Sequence, residues 1–226
     1  MSNYFSDIIA IFFDTSDTLY TNAELEDAYP EKLADLIAET HDISIRDARR
    51  LLRESTEKLK ATEKHVTKVR AAAELGLSRE EVHERAFCLV RPKDYLVEDA
   101  QLVHAMSKLA AHYRLGIISN LKQSHMIEVL GALGLPEEWF PLMVTEDVVT
   151  DIKPAPEPFL KAIALAGCLP GECLYVGDSP TKDMRPAKGV GMKTVLVSKG
   201  PSSEDVRYAD ASVSNVKEVV DLLMLS

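Results

Sequence analysis

The sequence predicts an α/β protein, with a Rossmann-like, doubly wound parallel sheet as its core and an inserted all-helical cap domain. Apolar strand-like runs alternate with helical segments from residue 98 onward, which is the pattern of a parallel sheet covered by helices. One further apolar run, residues 8–13, precedes a long helical block. We therefore expect a core formed by 1–20 and 98–226 and a cap formed by 21–97.

The first predicted strand, Ile8–Phe13, ends abruptly in Asp14 and a polar turn. An uninterrupted apolar run bounded by turn residues is typical of a strand that is buried on both faces. Open parallel sheets bind their ligands at the carboxyl ends of the strands. Asp14 is therefore predicted to lie at the binding edge, where its carboxylate is a candidate nucleophile.

The block between residues 23 and 97 is predicted to be entirely helical. It is polar and nearly free of glycine and proline, and its apolar residues recur at helical spacing. Ser44 with Asp47, and Ser78 with Glu81, have the spacing of helix-capping boxes. Because no strand pattern interrupts this block, we interpret it as an insertion into the α/β core.

The segments after the block alternate between strand and helix. The later strands are predicted at Leu115–Ile118, Leu142–Val144, Cys173–Val176, Thr194–Val197 and Ala211–Val213. The helices are predicted around 102–112, 125–133, 157–166 and 216–225, with a short one before residue 194. This order predicts that the first strand joins the same sheet, although the helical block separates it in sequence.

The formal net charge of −10 disfavours binding to nucleic-acid backbones and to anionic membranes. An anionic small molecule would then need a local cation, such as a metal ion. Cys88, Cys168 and Cys173 lack the spacing of zinc ligands, and we expect buried free thiols in a reducing compartment. The N-terminal apolar run is too short for a signal peptide or membrane helix. We predict a cytoplasmic monomer or homodimer.

Reactive side chains follow the predicted strands at points that a parallel sheet would bring together. Ser119 and Asn120 follow the second strand, and Asp178 follows the fourth, with Asp183 five residues later. Lys153 precedes a proline-rich turn. Each of them singly has a structural explanation as a turn former, a helix cap or a solvated lysine. Their joint placement at strand ends favours one shared site.

Taken together, these residues resemble the four ordered motifs of the haloacid dehalogenase-like (HAD) hydrolase superfamily, subclass I with a helical type I cap. The matching segments are Phe13–Tyr20, Ser119-Asn120, Lys153-Pro154 and Gly177–Asp183, and Ala187–Met192 resembles the usual continuation. The resemblance covers the alternating core, and the helical insertion stands where that family has its cap.

The resemblance implies a phosphatase that forms an aspartyl-phosphate on Asp14. It further implies a Mg²⁺ ion held by the Asp14 carboxylate, the backbone carbonyl of Ser16 and Asp178. Asp183 would help to form this metal site by orienting a metal-bound water or Lys153.

The same resemblance assigns the remaining candidates to substrate binding. Lys153 would offset the negative charge of the nucleophile and the phosphate, and Ser119 would donate to a phosphoryl oxygen. Asn120 would position the loop or a substrate oxygen. The implied substrate is a small phosphorylated metabolite.

Ser16 departs from the family pattern, because phosphatases of this family carry an aspartate at that position as general acid and base. Such catalysis is typically worth about 10²–10⁴-fold in rate. One explanation is a substrate with a good leaving group, such as an acyl or aryl phosphate. A second is different chemistry: a dehalogenase, which the acids Asp178 and Asp183 disfavour, or a phosphonate hydrolase. The third is a catalytically weak or silent phosphate-binding protein. Phosphonate hydrolysis would need a Schiff-base lysine in the cap, from among Lys58, Lys60, Lys64 and Lys68.

Overall fold

The computed structural model describes residues 4–62, 66–198, 200 and 205–224. The chain divides into two compact units. The larger combines Met1–Thr21 with Leu96–Ser226, and the smaller is Asn22–Tyr95.

Every regular element in the described part of the smaller unit is helical, as the sequence predicts. Its α-helices are α1 (Ala23–His41), α2 (Ile45–Lys60), α3 (Lys68–Ala73) and α4 (Arg79–Arg85). The predicted capping box opens α4: Ser78 Oγ accepts from the Glu81 N–H at 3.1 Å, and the Glu81 carboxylate accepts from the Ser78 N–H at 2.8 Å. At the start of α2, Ser44 Oγ likewise accepts from the Asp47 N–H at 3.2 Å, but the Asp47 carboxylate accepts from the Ser44 hydroxyl, at 2.7 Å.

A six-stranded parallel sheet forms the centre of the larger unit, which confirms the predicted fold class. The strands are β1 (Ala10–Phe13), β2 (Arg114–Ile118), β3 (Leu142–Val144), β4 (Cys173–Gly177), β5 (Lys193–Val197) and β6 (Ala211–Val213). They lie in the order β3-β2-β1-β4-β5-β6. The first strand in sequence is therefore an inner strand, hydrogen-bonded on both sides.

Helices flank this sheet. They are α5 (Ala100–Ala110), α6 (Gln123–Ala132), α7 (Glu157–Ala166), α8 (Arg185–Gly189) and α9 (Val219–Met224). A 3₁₀ turn at Val216–Glu218 precedes α9, so the predicted closing helix begins irregularly. The end predicted for it, residue 225, lies outside the described residues.

The register of the sheet brings the predicted site residues to one edge. Phe13 pairs with Ile117 in β2 and with Val176 in β4. The Asp14 N–H donates to the Val176 carbonyl at 2.9 Å, so the chain is still in the sheet at this acid. Positions 119 and 178, two residues beyond the paired ones, therefore reach the same edge as Asp14.

A cluster of aromatic and aliphatic side chains packs α7 and α8 against the sheet. Phe12 and Tyr175 are register partners, and both side chains are fully buried in this cluster. Phe159 from α7 packs edge-on against Tyr175, with the ring centroids 5.0 Å apart and the planes at 76°. Burying one such ring stabilises the fold by about 1.5–3 kcal/mol. This packing therefore stabilises β4 at its central residue, Tyr175.

All three cysteines are free thiols, but their predicted burial is wrong for two of them. Cys173 in β4 is buried, Cys168 is half-buried and Cys88 is exposed. The prediction failed at Cys88 because it lies in a short 3₁₀ helix, Phe87–Leu89, that buries Phe87, the preceding residue. Among the described residues, no helix combines the length and the apolar character needed to cross a bilayer.

Candidate active site

The buried Lys153–Asp14 ion pair is the centre of the site. Lys153 Nζ lies 2.6 Å from Asp14 Oδ1, and the two residues are 1% and 5% exposed. Burial alone would raise the pKa of Asp14, but the positive charges of Lys153 and Lys182 outweigh it and hold that pKa below its usual value. The carboxylate that ends β1 is therefore ionised at neutral pH.

Asn120 fixes the backbone that carries this lysine. Its side-chain oxygen accepts from the Lys153 N–H at 2.9 Å, and its side-chain amide donates to the Lys153 carbonyl at 3.0 Å. Both backbone groups of the lysine are thus bound by one side chain from the end of β2. The sequence predicts that Asn120 positions either the loop or a substrate oxygen. Its two bonds to the Lys153 backbone position the loop.

Asp183 also pairs with the Lys153 ammonium, and it is completely buried. Its Oδ1 accepts from Lys153 Nζ at 2.9 Å, and its Oδ2 accepts from the Ser179 N–H at 3.2 Å. A Cβ added at Gly177 would lie 2.9 Å from Asp183 Cβ and 3.0 Å from its Cγ. The chain therefore needs glycine at 177 for Asp183 to reach this position.

Tyr175 belongs to the site, although sequence reasoning treated it only as a strand residue. Its hydroxyl accepts from Lys153 Nζ at 2.8 Å and donates to Asp183 Oδ1 at 2.9 Å. Burial, followed by the nearby charges of Asp183 and Asp14, raises the pKa of Tyr175 well above its usual value. The available signal was its position, two residues before Gly177 on an inner strand, but the periodicity of β4 marks it only as buried.

Three carboxylates of the site could hold a metal ion. One oxygen from each of Asp14, Asp178 and Asp183 lies within 4.8 Å of the others. Burial, then the charges of Asp14 and Asp183, raise the pKa of Asp178 to about 7. When all three acids are ionised, the Lys153 ammonium balances one of the three negative charges, and a divalent cation would balance the other two. Hard oxygen donors of this kind fit Mg²⁺.

Ser119 and Ser16 lie at the same edge of the sheet, in the loops after β2 and β1. Ser119 is buried, and its Oγ accepts from the Leu121 N–H at 3.2 Å. Ser16 is half-buried and forms an isolated bridge with Tyr20 in the turn after Asp14. The structure thus brings the predicted site residues to one edge, where Lys153 contacts Asp14, Asp183 and Asn120.

A cavity next to this edge gives room for a small molecule. It has a volume of about 550 Å³, within the usual range for small-molecule sites. Asp178, residues 17–21 and residues 214–217 are among those that line it, all from the larger unit.

Three of the four lysines considered for a Schiff base, Lys58, Lys60 and Lys68, lie on described helices of the smaller unit. Lys58 and Lys60 lie near glutamates on exposed helix faces, and Lys68 donates to a backbone carbonyl at 3.3 Å. Lys64 lies outside the described residues. Lys58 and Lys60 thus have the contacts of a solvated helix surface, whereas the Lys68 ammonium also lies 5.8 Å from the centroid of the Tyr29 ring.

Comparison with known proteins agrees with this geometry. A glyceraldehyde 3-phosphate phosphatase from Methanocaldococcus jannaschii is 28% identical over 228 residues, covering 96% of this chain and 97% of that protein. The pyrophosphatase PpaX of Bacillus cereus (strain AH820) is 32% identical over 135 residues, covering 58% of this chain and 62% of that protein. The crystal structure of a HAD phosphatase from Thermococcus onnurineus superposes with a TM-score of 0.70 at 27% identity, covering 94% of this chain and 96% of that one.

A family profile supplies the assignment. The profile described as haloacid dehalogenase-like hydrolase matches residues 33–197, which is well over half of the 226-residue chain. The matched segment contains Ser119, Lys153, Asp178 and Asp183. With the parallel sheet and the buried lysine among three acids, this match identifies the protein as a member of the haloacid dehalogenase-like hydrolase family.

Proposed function

We propose that this protein is a Mg²⁺-dependent phosphatase that hydrolyses a small phosphorylated metabolite through an aspartyl-phosphate on Asp14. The observation that carries the proposal is the buried Asp14 carboxylate, paired with Lys153 at 2.6 Å and grouped with Asp178 and Asp183. Nucleophilic attack on phosphorus requires an ionised carboxylate at the edge of the sheet, with a positive charge beside it that offsets the negative charge of the phosphate.

Asp14, Asp178 and the backbone carbonyl of Ser16 would hold Mg²⁺. Both oxygens of Asp183 already accept hydrogen bonds from the protein, which favours an orienting role for that acid. When bound, the ion supplies positive charge that stabilises the phosphoryl oxygens.

The reaction follows from the side chains present. One Asp14 oxygen attacks phosphorus, the bond from phosphorus to the leaving oxygen breaks, and the leaving group departs with the bonding electron pair and takes up any proton it needs from solvent. Water then attacks phosphorus in the aspartyl-phosphate and loses a proton to solvent, the bond from phosphorus to the Asp14 oxygen breaks, and inorganic phosphate leaves with the Asp14 carboxylate restored. The Lys153 ammonium and the Ser119 hydroxyl stabilise the charge on the phosphoryl oxygens through both steps.

Ser16 bears on the substrate, because a hydroxyl is a poor proton donor at neutral pH. Hydrolysis should therefore be least impaired for substrates whose leaving group departs without protonation, such as acyl phosphates and pyrophosphate. The names of the similar proteins add glyceraldehyde 3-phosphate and pyrophosphate to the compounds worth testing. The same serine favours one alternative, a phosphate-binding protein with little or no turnover.

The experiment measures phosphate release with Mg²⁺ from glyceraldehyde 3-phosphate, pyrophosphate, acetyl phosphate and p-nitrophenyl phosphate. Turnover that Asp14→Asn abolishes supports the proposal, as does the appearance of acid-stable phosphate on the wild-type protein alone. Ser16→Asp is expected to raise the rate on alkyl phosphates. No turnover across a broad panel, with Mg²⁺ still bound, would instead establish the silent alternative.

The cytoplasmic location and the monomeric or homodimeric state stay predictions from the sequence. Size-exclusion chromatography with light scattering measures the oligomeric state directly.

A further inference from the structure

The Tyr175 hydroxyl lies inside the buried site but has no part in the reaction proposed above. The residue lies in β4 and is fully buried, and its ring packs against Phe159 of α7. The strand backbone and this packed aromatic neighbour restrict where its oxygen can lie, which is what the supporting residues of a functional site must provide.

Lys153, Tyr175 and Asp183 form a closed triangle of hydrogen bonds. Lys153 Nζ donates to the tyrosine oxygen at 2.8 Å and to Asp183 Oδ1 at 2.9 Å, and the tyrosine hydroxyl donates to that same Oδ1 at 2.9 Å. An ammonium has three N–H donors, and the third binds Asp14 at 2.6 Å. Every donor of the buried ammonium is therefore used.

A neutral polar side chain at position 175 avoids the cost of an extra buried charge and the cost of an unpaired ammonium N–H. The ammonium already faces two carboxylates, and a third acid in place of Tyr175 would add buried negative charge. An apolar side chain would leave one ammonium N–H without an acceptor in a site from which water is excluded, which is costly. A hydroxyl accepts from the lysine and donates to the acid without changing the charge.

We propose that Tyr175 is a positioning residue, whose hydroxyl keeps the Lys153 ammonium directed at Asp14 and keeps Asp183 in place beside it. The proposal rests on the phosphatase function proposed above. The hydroxyl acts through Lys153 and Asp183, so its removal should impair the chemical step more than the binding of substrate.

The variant that tests this is Tyr175→Phe, which retains the ring that packs on Phe159. We expect kcat to fall about tenfold, the size expected for losing one hydrogen bond to a charged group, and KM to stay within about twofold. Tyr4→Phe is the control, because Tyr4 also donates to an aspartate, Asp210 at 3.1 Å, but is exposed and is not part of the site. Its kcat should equal that of the wild type.

A measurement that does not need turnover tests the contact between Tyr175 and Lys153 separately from the proposed phosphatase activity. In a double-mutant cycle of unfolding, Tyr175→Phe and Lys153→Met should couple by about tenfold or more in the unfolding equilibrium constant, whereas Tyr4→Phe and Lys153→Met should be additive. If the wild type lacks turnover but the cycle shows coupling, the phosphatase proposal fails and the positioning contact stands. Additivity in both pairs would overturn the contact.

If Tyr175→Phe does not fold, 4-aminophenylalanine at position 175 replaces it. That side chain has the length of tyrosine and donates to Asp183, but its amine is a poor acceptor for Lys153. We expect its kcat to be about three- to tenfold below that of the wild type. A kcat within about twofold of the wild type, in whichever of these variants folds, would overturn the proposal.

Discussion

Replacing the buried lysine, Lys153→Met, should destabilise the protein strongly. Methionine fills a similar volume, so the main loss is the charge that balances Asp14 and Asp183, which are 5% and 0% exposed. Removing one partner of a buried ion pair costs about 3–5 kcal/mol. For a chain of this size each kcal/mol lowers Tm by about 2–4 °C, so we expect a fall of about 6–20 °C.

The effect should depend on pH in a defined direction. Burial would raise the pKa of Asp14, but Lys153 and Lys182 hold it low, so its contribution to stability is present above about pH 4 and is lost as pH falls through its folded-state pKa. Burial would lower the pKa of Lys153, but Asp14 and Asp183 raise it, so its contribution is present below about pH 10 and is lost above its folded-state pKa. Without the lysine, the pKa of Asp14 rises. The difference in unfolding free energy between the wild type and Lys153→Met should therefore be smaller at about pH 5 than at about pH 7.

Urea unfolding followed by circular dichroism, in EDTA at both pH values, measures this difference. Lys188→Met is the matched control in the same unit, because that lysine pairs with a single acid, Asp210, and is 41% exposed. Such a partly exposed pair is worth about 1 kcal/mol or less. Equal losses in the two variants, or a difference that grows toward acid pH, would refute the argument that Lys153 balances the buried acids.

Three further results are expected. Gly177→Ala should reduce activity and cost about 1–3 kcal/mol of stability, because its Cβ would meet Asp183 at 2.9–3.0 Å; wild-type kinetics would contradict this. Asn120→Ala should lower kcat, since it removes both bonds to the Lys153 backbone; an unchanged kcat would show that the loop holds the lysine alone. Mg²⁺ at about 100 times its Kd should stabilise the wild type by about 2.7 kcal/mol, and calorimetry should show this gain absent in Asp178→Asn, whereas an equal gain in both would exclude Asp178 as a ligand.

Much of the fold could be predicted because its signals are local. The strand β1 is an apolar run that stops at Asp14, and α4 begins with a serine and a glutamate at capping distance. Alternation of strands and helices implies a parallel sheet, and a parallel sheet gathers its strand ends at one edge. The grouping of Asp14, Asp178 and Asp183 thus followed from their positions after strands.

Cysteine exposure and the direction of individual side chains could not be predicted in this way. Cys88 belongs to a short helical segment whose periodicity is too brief to tell an inward from an outward position.

The sequence by itself determined the α/β architecture, the strand-end acids and the lysine before the proline turn, because spacing and composition encode them. Only the tertiary structure decided that Asn120 binds the backbone of Lys153 and that Tyr175 joins Lys153 to Asp183. Tyr175 precedes Asp183 by eight residues and follows Lys153 by 22. Contacts of this kind depend on where packed elements place the ends of side chains, and no local pattern records that.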